Sequence, residues 1–446
     1  MSWTRMAGAV GLGFMVIGAA EAGTRWPQFM GVGAAGQDSS VELPTTWDIA
    51  KGTNVRWKTA VPGLGHACPI VWEDRIYVAT AVKPGESELK VGLYGDIESV
   101  DEKERQQWRL LALDRMTGKV VWNTLGVEAV PRVKRHTKAS HCNSTPATDG
   151  RWIAALFGSE GLFVFDMEGK LVWKKDLGPL DSGYFDVPSA QWGFASSPVI
   201  HDGKVIVQAD VQKDSFLAVY DLETGKEVWK QPRKDVPTWS TPSVVETAGR
   251  TQIAVNGWHH IGGYDFATGR ELWKLDGGGD IPVPTPVFAH GLIYFTSAHG
   301  KVRPMRAIRP DATGDITPKE VGATNAAIAW VHPRQGNYMQ TPVVVGDHLY
   351  ACFDAGILTC FDAKTGKIEY SQRVVNGGEG FTASTVSDGR NLFVTSENGN
   401  VYVVPTGPKL SVISTNRMDE TCMSTPAIAG GALIYRTRGH VVSLGK

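Results

Sequence analysis

A short string that recurs along the chain constrains its fold more than any other feature. The clearest copy, LALDRMTGKVVW, ends at Trp122, and four further copies keep its Asp, Gly and aromatic residue at nearly the same spacing. The Gly tolerates the positive φ of a tight turn, the Asp accepts backbone N–H groups across that turn, and the aromatic ring can fill a gap between packed units. The positions that the copies share are Asp114, Gly118, Trp122, Asp166, Trp173, Asp221, Gly225, Trp229, Asp265, Gly269, Trp273, Asp362, Gly366 and Tyr370. These copies predict a repeat protein whose units stack side by side.

A second marker, Ser or Thr followed by Pro and apolar residues, gives the period of the repeat. The full markers are Thr145-Pro146, Ser197-Pro198, Thr241-Pro242, Thr285-Pro286, Thr341-Pro342 and Thr425-Pro426, with degenerate versions at Cys68-Pro69 and Ser384-Thr385. Successive markers are 77, 52, 44, 44, 56, 43 and 41 residues apart. The shorter steps match the length of a propeller blade, and short alternating strands between Gly/Asp turns fill each unit.

These patterns predict an all-β fold, an eight-bladed β-propeller of four-stranded antiparallel blades. The outer strands of blades 5 and 7 are degenerate, and we assign them to residues 327–330 and 410–413. The chain ends shortly after residues 441–444, the third strand of blade 8, so this blade lacks its fourth strand. Residues 55–58 (VRWK) have the missing pattern. We therefore expect an N-terminal strand to pair with 441–444 and close the ring.

The N-terminus reads as a secretion signal. Arg5 precedes an apolar run over residues 6–20, and Ala20-Glu21-Ala22 matches the small-residue pattern of a cleavage site. We predict a signal peptide at residues 1–22, a lead-in segment at 23–53 and a single propeller domain at 54–446. The protein is then exported, periplasmic or secreted, and we expect a monomer. After residue 22 no apolar stretch is long enough to form a transmembrane segment.

Charge and cysteine content exclude further classes. A formal net charge of −1 offers no basic surface, which argues against a nucleic-acid partner. Five cysteines are an odd number, and in a chain of this size small buried thiols are expected rather than a disulfide framework. The basic stretch 132–138 is interpreted as a solvated loop, with contact to an acidic partner as the alternative. The insertions at 83–107 and 303–323 are long and have no role that the sequence assigns.

The string from Ala112 to Trp122 resembles, position by position, the tryptophan-docking repeat of the pyrroloquinoline-quinone (PQQ)-like propeller family. The resemblance extends over essentially all of the chain after residue 54. Residues 26–31 and 43–47 are similar to the lead-in of exported bacterial members of this family. The resemblance implies an extracytoplasmic eight-bladed propeller of one of two classes. One class comprises quinone-dependent alcohol and sugar dehydrogenases, and the other comprises scaffolds such as the propeller subunit of the outer-membrane protein assembly machinery.

The residues favour the scaffold class. The resemblance implies that alcohol-oxidising members hold the quinone under a disulfide of adjacent cysteines and bind calcium through Glu, Asn and Asp oxygens. This chain has no adjacent cysteines and no acidic run with calcium-loop spacing. We therefore expect a non-catalytic scaffold of the cell envelope without a cofactor. Its partner is an envelope protein or peptide, or a small-molecule ligand, and outer-membrane protein assembly is one role. The alternative is a PQQ-dependent alcohol or sugar dehydrogenase with PQQ and calcium.

The segments that precede each marker should converge on one mouth of the ring, where they would form the binding site. They are rich in aromatic residues, His, Met and Gln, which is typical of binding concavities. The candidates are His66, His141, Trp192, Trp239, Tyr338, Gln340, Phe381 and Met423. Packing between blades is the alternative role for each aromatic residue. We predict no catalytic or metal-binding residue: Cys142 and Cys422 lie at equivalent positions, but in blades 2 and 8.

Overall fold

Turns cut the chain into short strands, and the strands assemble into eight sheets around a common axis. The computed structural model describes residues 23–446, so the predicted signal peptide lies outside the described residues. Each blade has four antiparallel strands, numbered from the axis outward. The predicted all-β, eight-bladed propeller is confirmed.

Blade 1 contains strands Ile70–Trp72, Arg75–Val82, Gln106–Asp114 and Val120–Ala129, and blade 2 contains Ala147–Thr148, Trp152–Leu156, Leu162–Asp166 and Leu171–Lys175. Blade 3 contains Val199–His201, Lys204–Ala209, Phe216–Asp221 and Glu227–Pro232, and blade 4 contains Ser243–Thr247, Arg250–Val255, Ile261–Asp265 and Glu271–Leu275. Blade 5 contains Val287–Ala289, Leu292–Thr296, Met305–Ile308 and Ile328–His332, and blade 6 contains Val343–Val345, His348–Cys352, Ile357–Asp362 and Ile368–Arg373. Blade 7 contains Val386–Ser387, Asn391–Thr395, Asn400–Pro405 and Ser414–Arg417, and blade 8 contains Ala427–Ala429, Ala432–Arg436, His440–Leu444 and Val55–Ala60.

Smaller elements decorate the ring. Arg25–Trp26 extends the inner edge of blade 1, and Gly314–Asp315 runs parallel to the outer strand of blade 4. Ser99–Val100 and Arg135–His136 form a separate two-stranded sheet. Two 3₁₀ turns cover Val32–Ala34 and Gly158–Glu160. Within residues 23–446, no helix has the length and apolar character that crossing a membrane requires.

The N-terminal strand closes the ring as predicted. Val55 pairs with Leu444, Lys58 with Val442 and Ala60 with His440, in antiparallel register. Trp57 on the same strand then reaches blade 1, where its indole Nε1 donates to the carbonyl oxygen of Arg115 at 2.9 Å. The first strand of the domain therefore completes the last blade and also ties that blade to the first.

The aromatic residues of the outer strands connect most neighbouring blades in the same way. The indoles of Trp122, Trp173, Trp229 and Trp330 donate to the carbonyl oxygens of Met167, Leu222, Phe266 and Ala363 in the next blade, at 3.2, 2.9, 2.9 and 2.9 Å. Each indole lies flat on the turn Gly of that blade. A Cβ atom on Gly225 would lie 2.8 Å from the Trp173 ring, so any other residue at this position would force the indole or the turn to shift. Trp273 departs from the pattern, because it donates to Gln252 within its own blade.

The core lies between blades, and this explains why middle strands are apolar on both faces. In the strand Leu292–Thr296 of blade 5, Ile293 and Phe295 pack against blade 4, while Tyr294 packs against blade 6. A single blade cannot bury either face, so the strands are stable only in the closed ring.

Blade 7 corrects one prediction. Its outer strand is Ser414–Arg417 and not 410–413. The lead-in segment sets this register, because Asn416 Nδ2 donates to the Thr45 carbonyl at 3.0 Å and Asn416 Oδ1 accepts from the Trp47 N–H at 3.0 Å. This partner lies some 370 positions away along the chain, where a local pattern cannot reveal it.

The lead-in segment crosses one end of the central channel, which we call the floor. The Pro27 carbonyl accepts from Thr148 N–H of blade 2 at 2.8 Å, and the Gly36 carbonyl accepts from Ser387 N–H of blade 7 at 3.0 Å. Between these points, Val32–Ala34 contacts the inner strands of blades 4 and 5. The segments before the markers lie at the opposite end of the channel, which we call the mouth.

Candidate functional site

Hydroxyl groups of the markers form a girdle around the channel. At six of the junctions, a backbone N–H donates to the marker side chain of the next blade, at 2.9–3.0 Å. The donors are Cys68, Thr145, Ser197, Thr285, Thr341 and Ser384, and the acceptors are Thr145, Ser197, Thr241, Thr341, Ser384 and Thr425. Thr285 Oγ1 is the exception, since it is buried without a hydrogen-bond partner. The Ser/Thr of the marker therefore joins blades at the axis.

A cavity of about 180 Å³ lies against this girdle, and we call it the inner cavity. Five of the predicted site residues line it: His66, Trp192, Trp239, Tyr338 and Met423. Phe29 of the lead-in segment also lines it. The predicted convergence of these segments at one mouth therefore holds for these five residues.

The other three candidates do not line this cavity. His141 is buried beside Trp108 and Glu102, with its Nε2 3.2 Å from the Glu102 carboxylate. Phe381 is fully buried in the core between blades 6 and 7, and Gln340 is buried and donates to the Phe381 carbonyl. The alternative of packing between blades is thus correct for Phe381. The position of a residue before a marker does not show whether its side chain is exposed or buried. In all three cases contacts within the protein bury it.

The insertion 83–107 covers the mouth, so the channel is not the open funnel that we expected. Tyr94 of this insertion lies over the inner cavity, with its ring 5.3 Å from that of Tyr338 and its hydroxyl 3.4 Å from Thr382 Oγ1. Trp192 Nε1 donates to the Ile97 carbonyl at 3.3 Å. We call residues 83–107 the roof.

The basic stretch 132–138 anchors the roof, and its interpretation as a solvated loop is wrong. Arg135 is fully buried and pairs with Glu102 of the roof at 3.1 Å. Lys138 pairs with Glu397 at 2.7 Å, and their side chains are 2% and 0% exposed. Glu397 Oε2 also accepts from Gly92 N–H of the roof at 2.7 Å. Acidic residues from distant segments of the chain pair with these two cations, so both can be buried. The composition of residues 132–138 alone does not predict this burial.

Six aromatic rings form a closed loop at the mouth, which we call the aromatic ring. Neighbouring centroids are 5.3–6.4 Å apart around the sequence Tyr94, Tyr338, His299, Tyr184, Trp192, His136 and back to Tyr94. Trp239 joins from inside, 5.6 Å from Trp192. A second cavity of about 450 Å³, the outer cavity, shares Tyr94, Asp96, Trp192, Ile281 and Tyr338 with the inner one. These five residues therefore lie between the two cavities.

Ionisable groups in the inner cavity are held neutral or paired. Burial, with the nearby Arg135 and Arg436, lowers the pKa of His66 to about 3, and His66 Nε2 is buried without a hydrogen-bond partner. Burial lowers the pKa of Lys138, while Glu397 opposes that shift. In the outer cavity, Asp354 makes no ion pair with any described residue. The mouth thus offers aromatic and hydroxyl surface with little net charge.

The residues do not fit the quinone site that the resemblance implies for alcohol-oxidising members. All five cysteines are unpaired and buried, and no two are neighbours in sequence. Burial raises the pKa of Cys142 to about 12. In the part of the chain from Gly23 to Lys446, no three His, Cys, Asp or Glu side chains converge as metal ligands would.

The comparisons with known proteins agree with this architecture. A family model described as outer membrane protein assembly factor BamB matches residues 41–183 and 164–409. Tetrathionate hydrolase of Acidithiobacillus ferrooxidans is 26% identical over 260 residues, which cover 54% of this chain and 43% of that protein. This chain therefore matches less than half the length of that curated relative.

Two solved structures share the fold at low identity. A europium-containing methanol dehydrogenase has a TM-score of 0.62 and 13% identity, covering 95% of this chain and 89% of that one. BamB from Moraxella catarrhalis has a TM-score of 0.54 and 14% identity, covering 82% of this chain and 100% of that one. At these identities the likeness shows the fold alone. Because the family model spans most of its length, the chain belongs to the PQQ-like propeller family described as outer membrane protein assembly factor BamB.

Proposed function

We propose that this protein is a non-catalytic scaffold of the cell envelope that captures a partner protein at the aromatic ring. The partner would contribute an extended segment whose apolar or aromatic side chain enters the outer cavity. The observation that carries this proposal is the closed loop of six aromatic side chains around a cavity that opens to solvent. Aromatic side chains around a concavity supply large contact area, and they are enriched where proteins bind one another.

The polar groups at the mouth support a peptide as the ligand. Asp354 and the exposed Arg303 line the outer cavity, and neither forms an ion pair with another described residue. Backbone and side-chain groups of an extended segment could pair with both. The predicted signal peptide and the family, which includes an outer-membrane assembly factor, are consistent with an envelope partner. Outer-membrane protein assembly is the role that we propose for the complex.

The experiment is a capture from envelope extract with three immobilised proteins. These are the wild type, a Trp192→Ala/Trp239→Ala double variant, and a Val172→Ala/Val228→Ala double variant as a matched control. The two valines are 40% and 43% exposed on the outer strands of blades 2 and 3, away from the mouth. We expect the wild type and the control to retain a partner that the tryptophan variant loses.

The affinity of peptides from that partner should fall about tenfold or more in the tryptophan variant, as for a binding hot spot. If all three proteins retain the same partners, the site at the mouth is wrong. If only the valine variant loses them, the partner docks on the perimeter of the ring.

Hydrolysis of tetrathionate is a second candidate, favoured by the sequence similarity to tetrathionate hydrolase. In the inner cavity, Lys138 is already neutralised by Glu397, which leaves little positive charge for an anionic substrate. We therefore expect no consumption of tetrathionate.

The dehydrogenase alternative is tested by reconstitution with PQQ and Ca²⁺ followed by dye-linked oxidation of alcohols and aldoses. If either assay shows turnover that depends on Trp192, the protein is an enzyme and the scaffold proposal is wrong.

A further inference from the structure

A buried guanidinium between blades 4 and 5 has no counter-ion in the described chain. Arg306 lies on the third strand of blade 5 and is 5% exposed. It pairs in register with Phe295 and Val331, and Ile308, two positions later, packs in the apolar core shared with blade 4. The alternation of the strand would place an apolar side chain here, and the chain places an arginine instead.

The hydrogen bonds of Arg306 leave most of its donors unused. Nη2 donates to the Gly277 carbonyl at 2.5 Å, while Nε is buried without a partner. No carboxylate of residues 23–446 lies within salt-bridge distance of it. Asp276 is near enough to raise its pKa, but the Asp276 carboxylate is hydrogen-bonded to His259 at 3.0 Å. Burial lowers the pKa of Arg306 to about 10, which an anion beside the guanidinium would reverse.

Two other buried arginines show what this site lacks, although the fully buried Arg436 also makes no ion pair with a described residue and does not line the cavity beside Arg306. The fully buried Arg135 pairs with Glu102 at 3.1 Å, and the buried Arg233 pairs with Asp210 at 2.6 Å. A buried cation without a partner is strongly unfavourable, and proteins usually pair it. The chain therefore either tolerates this cost at Arg306 or meets it with a bound anion.

Arg306 lines a cavity of about 190 Å³ that could hold such an anion. The cavity lies under residues 309–323, the part of the predicted insertion that follows the strand of Arg306, and these residues are fixed to blade 4 by the pairing of Gly314–Asp315 with Trp273 and Lys274. Asp276, Gly277 and Thr317 are the other polar residues of the lining, and Pro318, Val321 and Val331 supply an apolar wall. One cation, with Asp276 nearby, suits a single negative charge better than a dianion.

We propose that this cavity binds a small carboxylate carried on a short apolar group, with Arg306 as the residue that pairs with the carboxylate. The bidentate geometry of Arg with carboxylate fits the free donors of Arg306. The apolar group would lie against Pro318, Val321 and Val331. The site is independent of the aromatic ring, so it stands whether or not a partner protein binds there.

The experiment titrates the full mature chain with 3-methylbutanoate, sulfate and chloride, measured by calorimetry and by thermal melting. The variants are Arg306→Met, which removes the charge at similar length, and Arg309→Met as a control. Arg309 is exposed and lies three residues further along the chain. We expect 3-methylbutanoate to bind the wild type and the control at one site and to raise their melting temperature. Binding to Arg306→Met should weaken by tenfold or more.

A second variant keeps the test decisive if Arg306→Met does not fold. Val321 is 76% exposed at the rim, so Val321→Glu should fold, and its charge should repel the carboxylate and weaken binding. Two results would overturn the proposal. One is no binding of 3-methylbutanoate to the wild type. The other is equal binding of sulfate and 3-methylbutanoate to the wild type and to both variants, which would indicate unspecific salt effects.

Discussion

Replacing Glu397 by Gln should free the roof from the channel, because it leaves the ammonium of Lys138 buried without a counter-charge. The two side chains are 2% and 0% exposed with 2.7 Å between Nζ and Oε1, and Glu397 also accepts from Gly92 N–H and Thr382 Oγ1 at 2.7 and 2.5 Å. Removal of one partner from a buried ion pair costs about 3–5 kcal/mol. This cost should appear mainly as local opening, since Gly92 and Lys138 link the roof to blade 7.

Trypsin and urea measure the two parts of this effect. Lys90 of the roof is partly exposed, so the rate of cleavage after it reports opening of the roof, while the urea midpoint reports the stability of the ring. We expect Glu397→Gln to be cleaved much faster than the wild type. A Lys138→Met/Glu397→Gln double variant should recover most of the loss, because it removes the unpaired charge and keeps an amide oxygen as acceptor for Gly92 N–H.

Glu42→Gln is the matched control. It breaks the exposed pairs of Glu42 with Lys446 and Arg390, and it should cost less than about 1 kcal/mol. The losses of stability caused by the single changes at Lys138 and Glu397 should not simply add in the double variant. If they do add, the two side chains do not act as a pair and the reasoning is refuted.

Three further predictions concern the ring itself. Trp57→Ala should destabilise the protein by about 3–5 kcal/mol in urea unfolding, because it removes the indole that ties blade 8 to blade 1; a cost below about 1 kcal/mol would contradict that role. Gly225→Ala should cost more than about 1 kcal/mol in the same assay, since its φ is 69° and a Cβ atom would meet Trp173 at 2.8 Å; a neutral result would show that the turn relaxes. His66 has a pKa of 6.5 when unfolded and about 3 when folded, so the unfolded chain binds more protons between these values and stability rises with pH across that window, by about 1.4 kcal/mol per unit. His66→Gln should remove that part of the slope in melts from pH 4 to 7, and an unchanged slope would show that His66 does not remain neutral.

The architecture was predictable because each blade repeats the same local chemistry. The Asp and Gly of the turn and the aromatic residue after it occur in five of the eight blades, and the missing outer strand of blade 8 has a counterpart at residues 55–58. The sequence shows the marker hydroxyls as a pattern but does not show that they join neighbouring blades. That role depends on the approach of the inner strands to the axis, where Thr145 accepts from Cys68 N–H. The six contacts of this kind join residues 41–77 positions apart, and the period alone does not show that they are hydrogen-bonded.

The site was less predictable because the non-repeating segments build half of it. Tyr94, His136 and Lys138 come from the insertion 83–107 and the linker after blade 1, where no pattern indicated a fold. The opposite charges of 83–107 and 132–138 were the one signal available, since Glu102 and Arg135 meet in the structure. His141 and Phe381 show the converse error. Both lie before a marker as predicted, but Trp108 and the roof residue Glu102 cover the side chain of His141, and the core between blades 6 and 7 buries that of Phe381.

Hydrogen–deuterium exchange of the protein with its captured partner tests the proposed binding site most directly. If the partner binds at the aromatic ring, exchange should slow in residues 92–98 and 182–193, which carry Tyr94, Tyr184 and Trp192, and should stay unchanged on the perimeter. Slower exchange confined to the outer strands Leu171–Lys175 and Glu227–Pro232, with the mouth unaffected, would contradict it.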